Sequence, residues 1–108
     1  MTTINSFRHG DLVFTRIDSL PDGAEGIKHN GELVLAEGEM TGHKHVAYAD
    51  PANMQAVKQG NVIYISLTIP APLKHQEHKT IEIPMGNWKM MFQRELDPYL
   101  DEIRTMAD

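Results

Sequence analysis

The amino-acid sequence predicts an all-β protein, a small antiparallel barrel or sandwich of about 6–8 strands. Short runs rich in β-branched and aromatic residues recur along the chain, glycine and proline punctuate the intervals, and one segment alone has helical spacing. A chain of 108 residues is near the commonest domain size, so we expect residues 1–108 to form a single β domain.

The first half of the chain contains three predicted strands. Residues 11–17 form a run of apolar and β-branched residues that ends at a Leu-Pro-Asp-Gly turn signal. Residues 32–36 form a second run, and residues 43–49 resume a strand-like pattern after Gly38 and Gly42. Glycines so close together predict a bend or bulge before the third strand.

The centre of the chain predicts a hairpin. Residues 54–57 and 62–69 flank a Gln-Gly-Asn turn signal. The second arm alternates, and four apolar side chains share one of its faces: Ile63, Ile65, Leu67 and Ile69. This period of two is typical of a half-buried strand.

Two prolines are expected to end that strand and to start a loop over residues 73–78, because proline cannot donate to a β-ladder. Residues 80–83 and 88–94 are then predicted to pair as a second hairpin through a turn at residues 84–87. The second arm of this hairpin places three apolar residues on one face, as part of the core: Trp88, Met90 and Phe92.

The C-terminal segment, residues 95–108, is acidic and carries Leu96, Leu100 and Ile103 at helical spacing. Pro98 suits the first turn of a helix. The apolar stripe is narrow, so two interpretations stay open for this segment: a short helix or a tail.

Composition excludes several classes of site and partner. The chain has no cysteine, which excludes disulfides, thiolate-bound zinc and iron–sulfur clusters. The formal net charge is -5, and the lysines and arginines form no basic stripe of the kind that binds nucleic acid. No stretch resembles a signal peptide or approaches the roughly 20 apolar residues of a membrane span. We therefore expect a cytoplasmic protein that binds neither nucleic acid nor membrane.

Four histidines form the candidate functional site: His43, His45, His75 and His78. The first two are two residues apart, so on a strand both side chains project from one face, about 7 Å apart at their α-carbons. The other two lie three residues apart in the predicted loop, where they can cap the first pair. Imidazoles suit zinc, iron, nickel or copper, whereas calcium and magnesium prefer oxygen ligands. We predict a divalent transition metal, zinc or ferrous iron.

Two carboxylates adjoin these histidines, Glu39 and Glu77. Each is a candidate metal ligand, a group that orients an imidazole, or a catalytic base, and the sequence leaves these roles open. His9 precedes a turn glycine and His29 lies in a polar stretch, so both are interpreted as solvated turn residues. The competing interpretation of all these pairs is chance placement of histidines in polar loops.

Three segments carry a resemblance to a known group of proteins. They are residues 37–45 (EGEMTGHKH), residues 75–78 (HQEH) and residues 93–98 (QRELDP). In this order they resemble small, largely uncharacterised bacterial and phage-associated β-proteins with a GH-x-H stretch, an HEEH stretch and a terminal QREY-like strand. The resemblance covers residues 10–98 and implies that the four histidines belong to one site, but it implies no particular activity.

The chain departs from this pattern at two positions. Gln76 stands where the group usually has an acid, and Leu96 where it usually has an aromatic residue. The histidine pair followed by a later histidine also resembles the metal pattern of cupins, which are double-stranded β-barrels. Residues 47–49 lack the glutamate expected after such a pair, so the cupin likeness is an analogy only.

Three functions are compatible with these features. The favoured hypothesis is a metal-binding module that binds a protein partner or forms a homo-oligomer, with saturated coordination and no adjoining pocket. The alternative is a metal-dependent, hydrolase-like enzyme that has a pocket beside the metal and Glu77 or Glu39 as base. The third is a sensor whose histidines contact an anionic ligand directly.

Overall fold

The computed structural model describes residues 4–38 and 42–93. The described residues form ten β-strands and contain no α-helix. Glu39 and the predicted helix or tail at residues 95–108 lie outside them. None of the described segments forms a helix long and apolar enough to cross a membrane.

The strands form two antiparallel sheets. In chain order they are β1 (Ser6–His9), β2 (Leu12–Ile17), β3 (Glu25–Ile27), β4 (Glu32–Glu37), β5 (Lys44–Tyr48), β6 (Met54–Gln59), β7 (Val62–Leu67), β8 (Ala71–Lys74), β9 (Ile81–Ile83) and β10 (Gly86–Phe92). The larger sheet has the order β1-β2-β10-β7-β6-β3 and the smaller one β4-β5-β8-β9. The all-β prediction is confirmed, and the sandwich describes it better than the barrel because the sheets remain separate.

The number of strands exceeds the predicted range because three short strands were not predicted. β1 and β8 have 4 residues each, and β3 has 3. Such short strands show too few alternations to be recognised by their period of two. β3 nevertheless pairs with β6, and β1 pairs with β2 along its whole length.

Two tight hairpins depend on glycines with positive φ. β6 and β7 pair as far as Gln59 and Val62, and Gly60 between them has a φ of 62°. β1 and β2 likewise pair as far as His9 and Leu12, and Gly10 has a φ of 60°. The predicted central hairpin is confirmed, and the first predicted strand, β2, forms a second hairpin with β1, which precedes it.

The predicted hairpin between residues 80–83 and 88–94 is wrong. β9 pairs with β8 in the smaller sheet, whereas β10 pairs with β2 and β7 in the larger sheet. The turn at residues 84–85 therefore carries the chain from one sheet to the other. The Nε1–H of Trp88 donates to the carbonyl oxygen of Pro84 at 2.8 Å, which supports this crossing.

Leu73 and Lys74 belong to a strand rather than to the predicted loop. Pro72 lies within β8, where it pairs with Glu82 of β9 but lies beyond the register that β8 shares with β5. The missing N–H of the proline is tolerated at such a position. The loop with the two histidines therefore begins after Lys74.

The core lies between the two sheets. The larger sheet buries Trp88, Phe14 and Ile65, and the smaller sheet buries Leu73 and Ile83. Burial of a large apolar side chain contributes about 1.5–3 kcal/mol to folding. Two polar residues are also buried among the described residues, His9 at the end of β1 and His45 near the start of β5. The candidate site lies where these two strand ends meet.

Candidate metal centre

His45 is held by the alternation of β5. The side chains of His45 and Ala47 are buried, whereas Lys44, Val46 and Tyr48 lie on the other face of the strand. His45 is 7% exposed, and it is the second residue of the strand. Its imidazole is therefore fixed at the end of the core, where a loop can reach it.

His75 and His78 lie in the loop between β8 and β9, as the sequence predicts. The Oε1 atom of Gln76 accepts a hydrogen bond from the backbone N–H of Lys44 at 2.9 Å. This bond fastens the loop to the first residue of β5. The loop consequently brings its two histidines against His45.

His45, His75 and His78 form one cluster, which we call the histidine triad. One ring nitrogen of each lies within 4.8 Å of a nitrogen of the other two. The ring centroids of His45 and His75 are 4.3 Å apart, and those of His75 and His78 are 4.6 Å apart. Ligand nitrogens of tetrahedral zinc lie about 3.3 Å apart, so small ring rotations would suffice to hold a metal ion.

The three residues of the triad differ in their exposure to solvent. His45 is buried, His75 is half-buried and His78 is exposed. One side of the cluster is therefore open to solvent, which provides the entry path that a metal site needs.

His43 and Glu77 form a pair beside the triad. Nδ1 of His43 lies 2.9 Å from Oε1 of Glu77, and the two side chains are 31% and 62% exposed. The ring centroid of His43 lies 5.6 Å from that of His75. His43 is thus close to the site but outside the group of three, and Glu77 faces His43.

The triad favours neutral imidazoles. Burial, together with the nearby rings of His75, His9 and His78, lowers the pKa of His45 from 6.5 to about 4. The pKa of His75 is also lowered, first by burial and then by His78 and His43. A neutral ring has the lone pair that a metal requires, so these two residues are available as ligands near neutral pH.

His9 is a site residue, and its interpretation as a solvated turn residue is wrong. It is 4% exposed, and its Nδ1 lies 3.0 Å from Nδ1 of His45. Its Nε2 lies 2.9 Å from the carbonyl oxygen of Lys79. The sequence carries a weak signal for this position. Phe7 and His9 are two residues apart, directly before Gly10 and Asp11, so on a short strand that ends at this turn both side chains point to the same face.

His29 does not belong to the site. It is half-buried, and its Nε2–H donates to the carbonyl oxygen of Met54 at 2.6 Å. Nδ1 of the same ring accepts from the backbone N–H of Gly31 at 3.1 Å. Both ring nitrogens therefore hold a connecting segment in place.

Gly10 permits the close approach of the β1–β2 turn to the triad. A Cβ atom at this position would lie 2.7 Å from Nε2 of His78 and 3.0 Å from Cε1 of His45. The first of these distances is shorter than carbon–nitrogen contact allows. The turn thus forms one wall of the histidine cluster.

An open pocket of about 270 Å³ adjoins the site on the outer face of the smaller sheet. Its lining residues come from β5, from β8 and from the loop that follows: Lys44, Val46, Tyr48, Lys74, His75, Gln76 and Thr80. His75 is the one residue that the pocket shares with the triad. The ammonium group of Lys74 lies 5.3 Å from the centroid of the Tyr48 ring.

The chain belongs to the family described as a domain of unknown function, DUF8820, whose model matches residues 8–93. The matched segment contains His9, His43, Glu77 and the whole triad. The assignment agrees with the resemblance to an uncharacterised group of proteins. No curated protein and no solved structure matches the chain significantly.

Proposed function

We propose that this member of the DUF8820 family is a metal-binding module that holds zinc or ferrous iron through His45, His75 and His78. The observation that supports the proposal most directly is the convergence of one nitrogen from each ring within 4.8 Å. Two of the histidines come from a loop and the third from a strand, so the fold itself assembles the set.

The donor chemistry favours a transition metal. Three imidazole nitrogens suit zinc or ferrous iron, whereas calcium and magnesium need several oxygen ligands. Among the described residues no carboxylate is part of the triad, and Glu77 is paired with His43. The low pKa of His45 keeps this ligand neutral at physiological pH.

A metal ion bound by the triad would stabilise the end of the domain at which β5 begins and the loop between β8 and β9 lies. It would link β5 to the loop between β8 and β9, next to the buried contact with β1 from the other sheet. Metal binding would then add to the free energy of unfolding, since an unfolded chain has no preformed site.

β4 supports the proposal that two copies of the module associate. This strand lies at the edge of the smaller sheet, and its Val34 side chain is 46% exposed. The edge of a sheet offers unpaired N–H and C=O groups that can pair with another chain. We propose a second copy of this chain as the partner at this edge.

The metal proposal is tested by calorimetric titration of untagged protein with zinc and, under anaerobic conditions, with ferrous iron. We expect one ion per chain in the wild type and at least 100-fold weaker binding in His75→Ala, which removes a half-buried member of the triad. His29→Ala is the matched control, because His29 is a half-buried histidine outside the triad. Equal binding by wild type and His75→Ala, or no binding by the wild type, would overturn the metal site.

The assembly proposal is tested by light scattering with and without zinc. We expect a dimer in the wild type and a monomer in Val34→Lys, since a lysine on an edge strand opposes edge pairing. A wild-type monomer under both conditions would contradict this part of the proposal.

A second candidate function, a metal-dependent hydrolase, is favoured by the His43–Glu77 pair and by the pocket that shares His75, a feature expected from the sequence for the enzyme and not for the module. Three protein ligands are typical of catalytic zinc sites, which keep a further position open. Glu77 would serve there as the proton acceptor. Cobalt-substituted protein titrated with thiocyanate distinguishes the candidates: a change in its visible spectrum indicates an open position, and an unchanged spectrum favours the module.

A hydrolysis assay also distinguishes the enzyme from the module. If the domain is an enzyme, Glu77→Gln should lower the rate of hydrolysis of an activated ester by about 10²–10⁴-fold without loss of bound zinc. No zinc-dependent hydrolysis by the wild type would count against the enzyme and leave the module unaffected.

A further inference from the structure

The hydrogen bonds of His9 define the position of its proton. Nε2 of His9 lies 2.9 Å from the carbonyl oxygen of Lys79, and a carbonyl oxygen only accepts hydrogen bonds. Nε2 therefore carries the proton. A neutral imidazole has one ring proton, so Nδ1 of the neutral His9 ring has a lone pair.

That lone pair faces a second nitrogen. Nδ1 of His9 lies 3.0 Å from Nδ1 of His45. Two lone pairs at this separation would repel each other in a buried site, whereas one N–H and one lone pair form a hydrogen bond. His45 must therefore donate from Nδ1, which leaves the lone pair of its neutral ring on Nε2.

We infer that His9 is a positioning residue of the metal centre: its hydrogen bond holds the proton of His45 on Nδ1 and so selects Nε2 of His45 as the metal ligand. The inference rests on the proposed metal site. Histidines that bind metals commonly donate their other ring N–H to an oriented acceptor, and loss of that acceptor costs about 10–100-fold in metal affinity.

His9 also connects both parts of the triad. Its Nε2–H bonds the backbone of Lys79, the residue directly after His78, while its Nδ1 bonds His45. The ring is 4% exposed, so water does not compete with either bond. One side chain from the larger sheet thereby holds the strand and the loop of the smaller sheet in a fixed relation.

The geometry favours this role over that of a fourth ligand. The ring centroid of His9 lies 6.5 Å from that of His75, farther than the largest separation within the triad, which is 5.8 Å between His45 and His78. Both ring nitrogens are already engaged in hydrogen bonds. The triad of convergent nitrogens does not include His9.

The first test is the tautomeric state of His45 and His9 in metal-free protein near pH 7.5, read from long-range ¹H–¹⁵N NMR spectra. We expect the proton on Nδ1 of His45 and on Nε2 of His9. In protein loaded with ¹¹³Cd, coupling should appear at Nε2 of His45 and at neither nitrogen of His9. A proton on Nε2 of His45, or cadmium coupling to His9, would overturn the inference.

The second test uses zinc affinity. His9→Ala should bind zinc about 10–100-fold more weakly than wild type, and His9→Asn should recover part of the loss because its amide oxygen can accept from His45. His29→Ala serves as the control. Normal zinc binding by wild type with unchanged affinity in His9→Ala would overturn the inference alone. Absence of zinc and cadmium binding by the wild type would overturn the proposed metal site itself.

Discussion

Nδ1 of His75 accepts a hydrogen bond from the backbone N–H of Glu77 at 3.0 Å. The proton of the neutral His75 ring is therefore on Nε2. A metal bound through Nε2 would shift that proton to Nδ1, where it would face the N–H of Glu77, and a metal bound through Nδ1 would take the lone pair. In either case the hydrogen bond must break.

We therefore predict that zinc changes the environment of the Glu77 backbone N–H. Its amide resonance should shift, and its hydrogen exchange should become faster on zinc binding because the bond to His75 is lost. The backbone N–H of Asn53, bonded to the carbonyl oxygen of Asp50 at 2.8 Å in a turn, is an internal control. An unchanged Glu77 amide at saturating zinc would show that His75 keeps this bond and is not a ligand.

The close approach of Gly10 to the triad predicts a specific effect of Gly10→Ala. Gly10 and Gly60 have φ values of 60° and 62°, so alanine at either position should cost about 1–2 kcal/mol of stability. A Cβ at Gly10 would also displace the ring of His78, whereas a Cβ at Gly60 meets no atom within 4 Å. Gly10→Ala should therefore lose at least 10-fold in zinc affinity, and Gly60→Ala should lose none.

Calorimetry with zinc and urea unfolding of both variants provide the measurement. Equal zinc affinities in Gly10→Ala and Gly60→Ala would show that the turn does not confine the triad.

The depressed pKa of His45 predicts how the metal-free protein responds to acid. The folded state holds the pKa near 4, below the ordinary value of 6.5, so between these values the unfolded chain binds more protons. The free energy of unfolding is therefore fully retained above pH 6.5 and declines as the pH falls toward 4. The lowered pKa of His75 acts in the same direction.

Urea unfolding at several pH values between 7 and 4 tests this prediction. His45→Gln should show a shallower decline than the wild type, since its side chain does not titrate. Carboxylates that titrate in this range are common to both proteins and cancel in the difference. Parallel pH profiles would contradict a lowered pKa at His45.

Arg16 predicts a change in stability that leaves the site intact. Its Nε–H donates to the carbonyl oxygen of Ile4 at 2.9 Å and its Nη1–H to that of Met85 at 3.1 Å, while its guanidinium lies 4.3 Å from the centre of the Trp88 ring. Lysine lacks the planar fork for these contacts, so Arg16→Lys should cost about 1–2 kcal/mol. Thermal unfolding should show lower stability of Arg16→Lys, and zinc titration should show unchanged affinity. Weaker zinc binding by this variant would show that the contacts of Arg16 affect the triad.

Local patterns predicted most of the strands, but not β1, β3 or β8, and they did not predict all of the strand partners. The alternation of Ile63, Ile65 and Leu67 sufficed for β7, and a glycine turn sufficed for its hairpin with β6. The turn before β10 offers the same local signal as a hairpin turn, yet the chain there changes sheets. Partner choice at that point depends on packing between distant strands, such as Trp88 beside Ile65, which no local window contains.

The site residues also divide into those that local sequence predicts and those that depend on contacts between distant segments. His45, His75 and His78 were predicted together because a strand and a histidine-bearing loop are recognisable in sequence. His9 was missed because its burial depends on β1 meeting the loop of the other sheet, a contact between residues 70 positions apart. His43 was predicted as a fourth metal ligand because it lies two residues before His45, but it pairs with Glu77 beside the triad.

The most direct test of the metal centre is anomalous diffraction at the zinc edge from crystals of zinc-loaded protein. The proposed site predicts one strong peak about 2.0–2.1 Å from Nε2 of His45 and from one ring nitrogen each of His75 and His78, with His9 bonded to His45 and outside the coordination sphere. No peak among these three rings, or zinc bound only elsewhere on the surface, would contradict the proposed function.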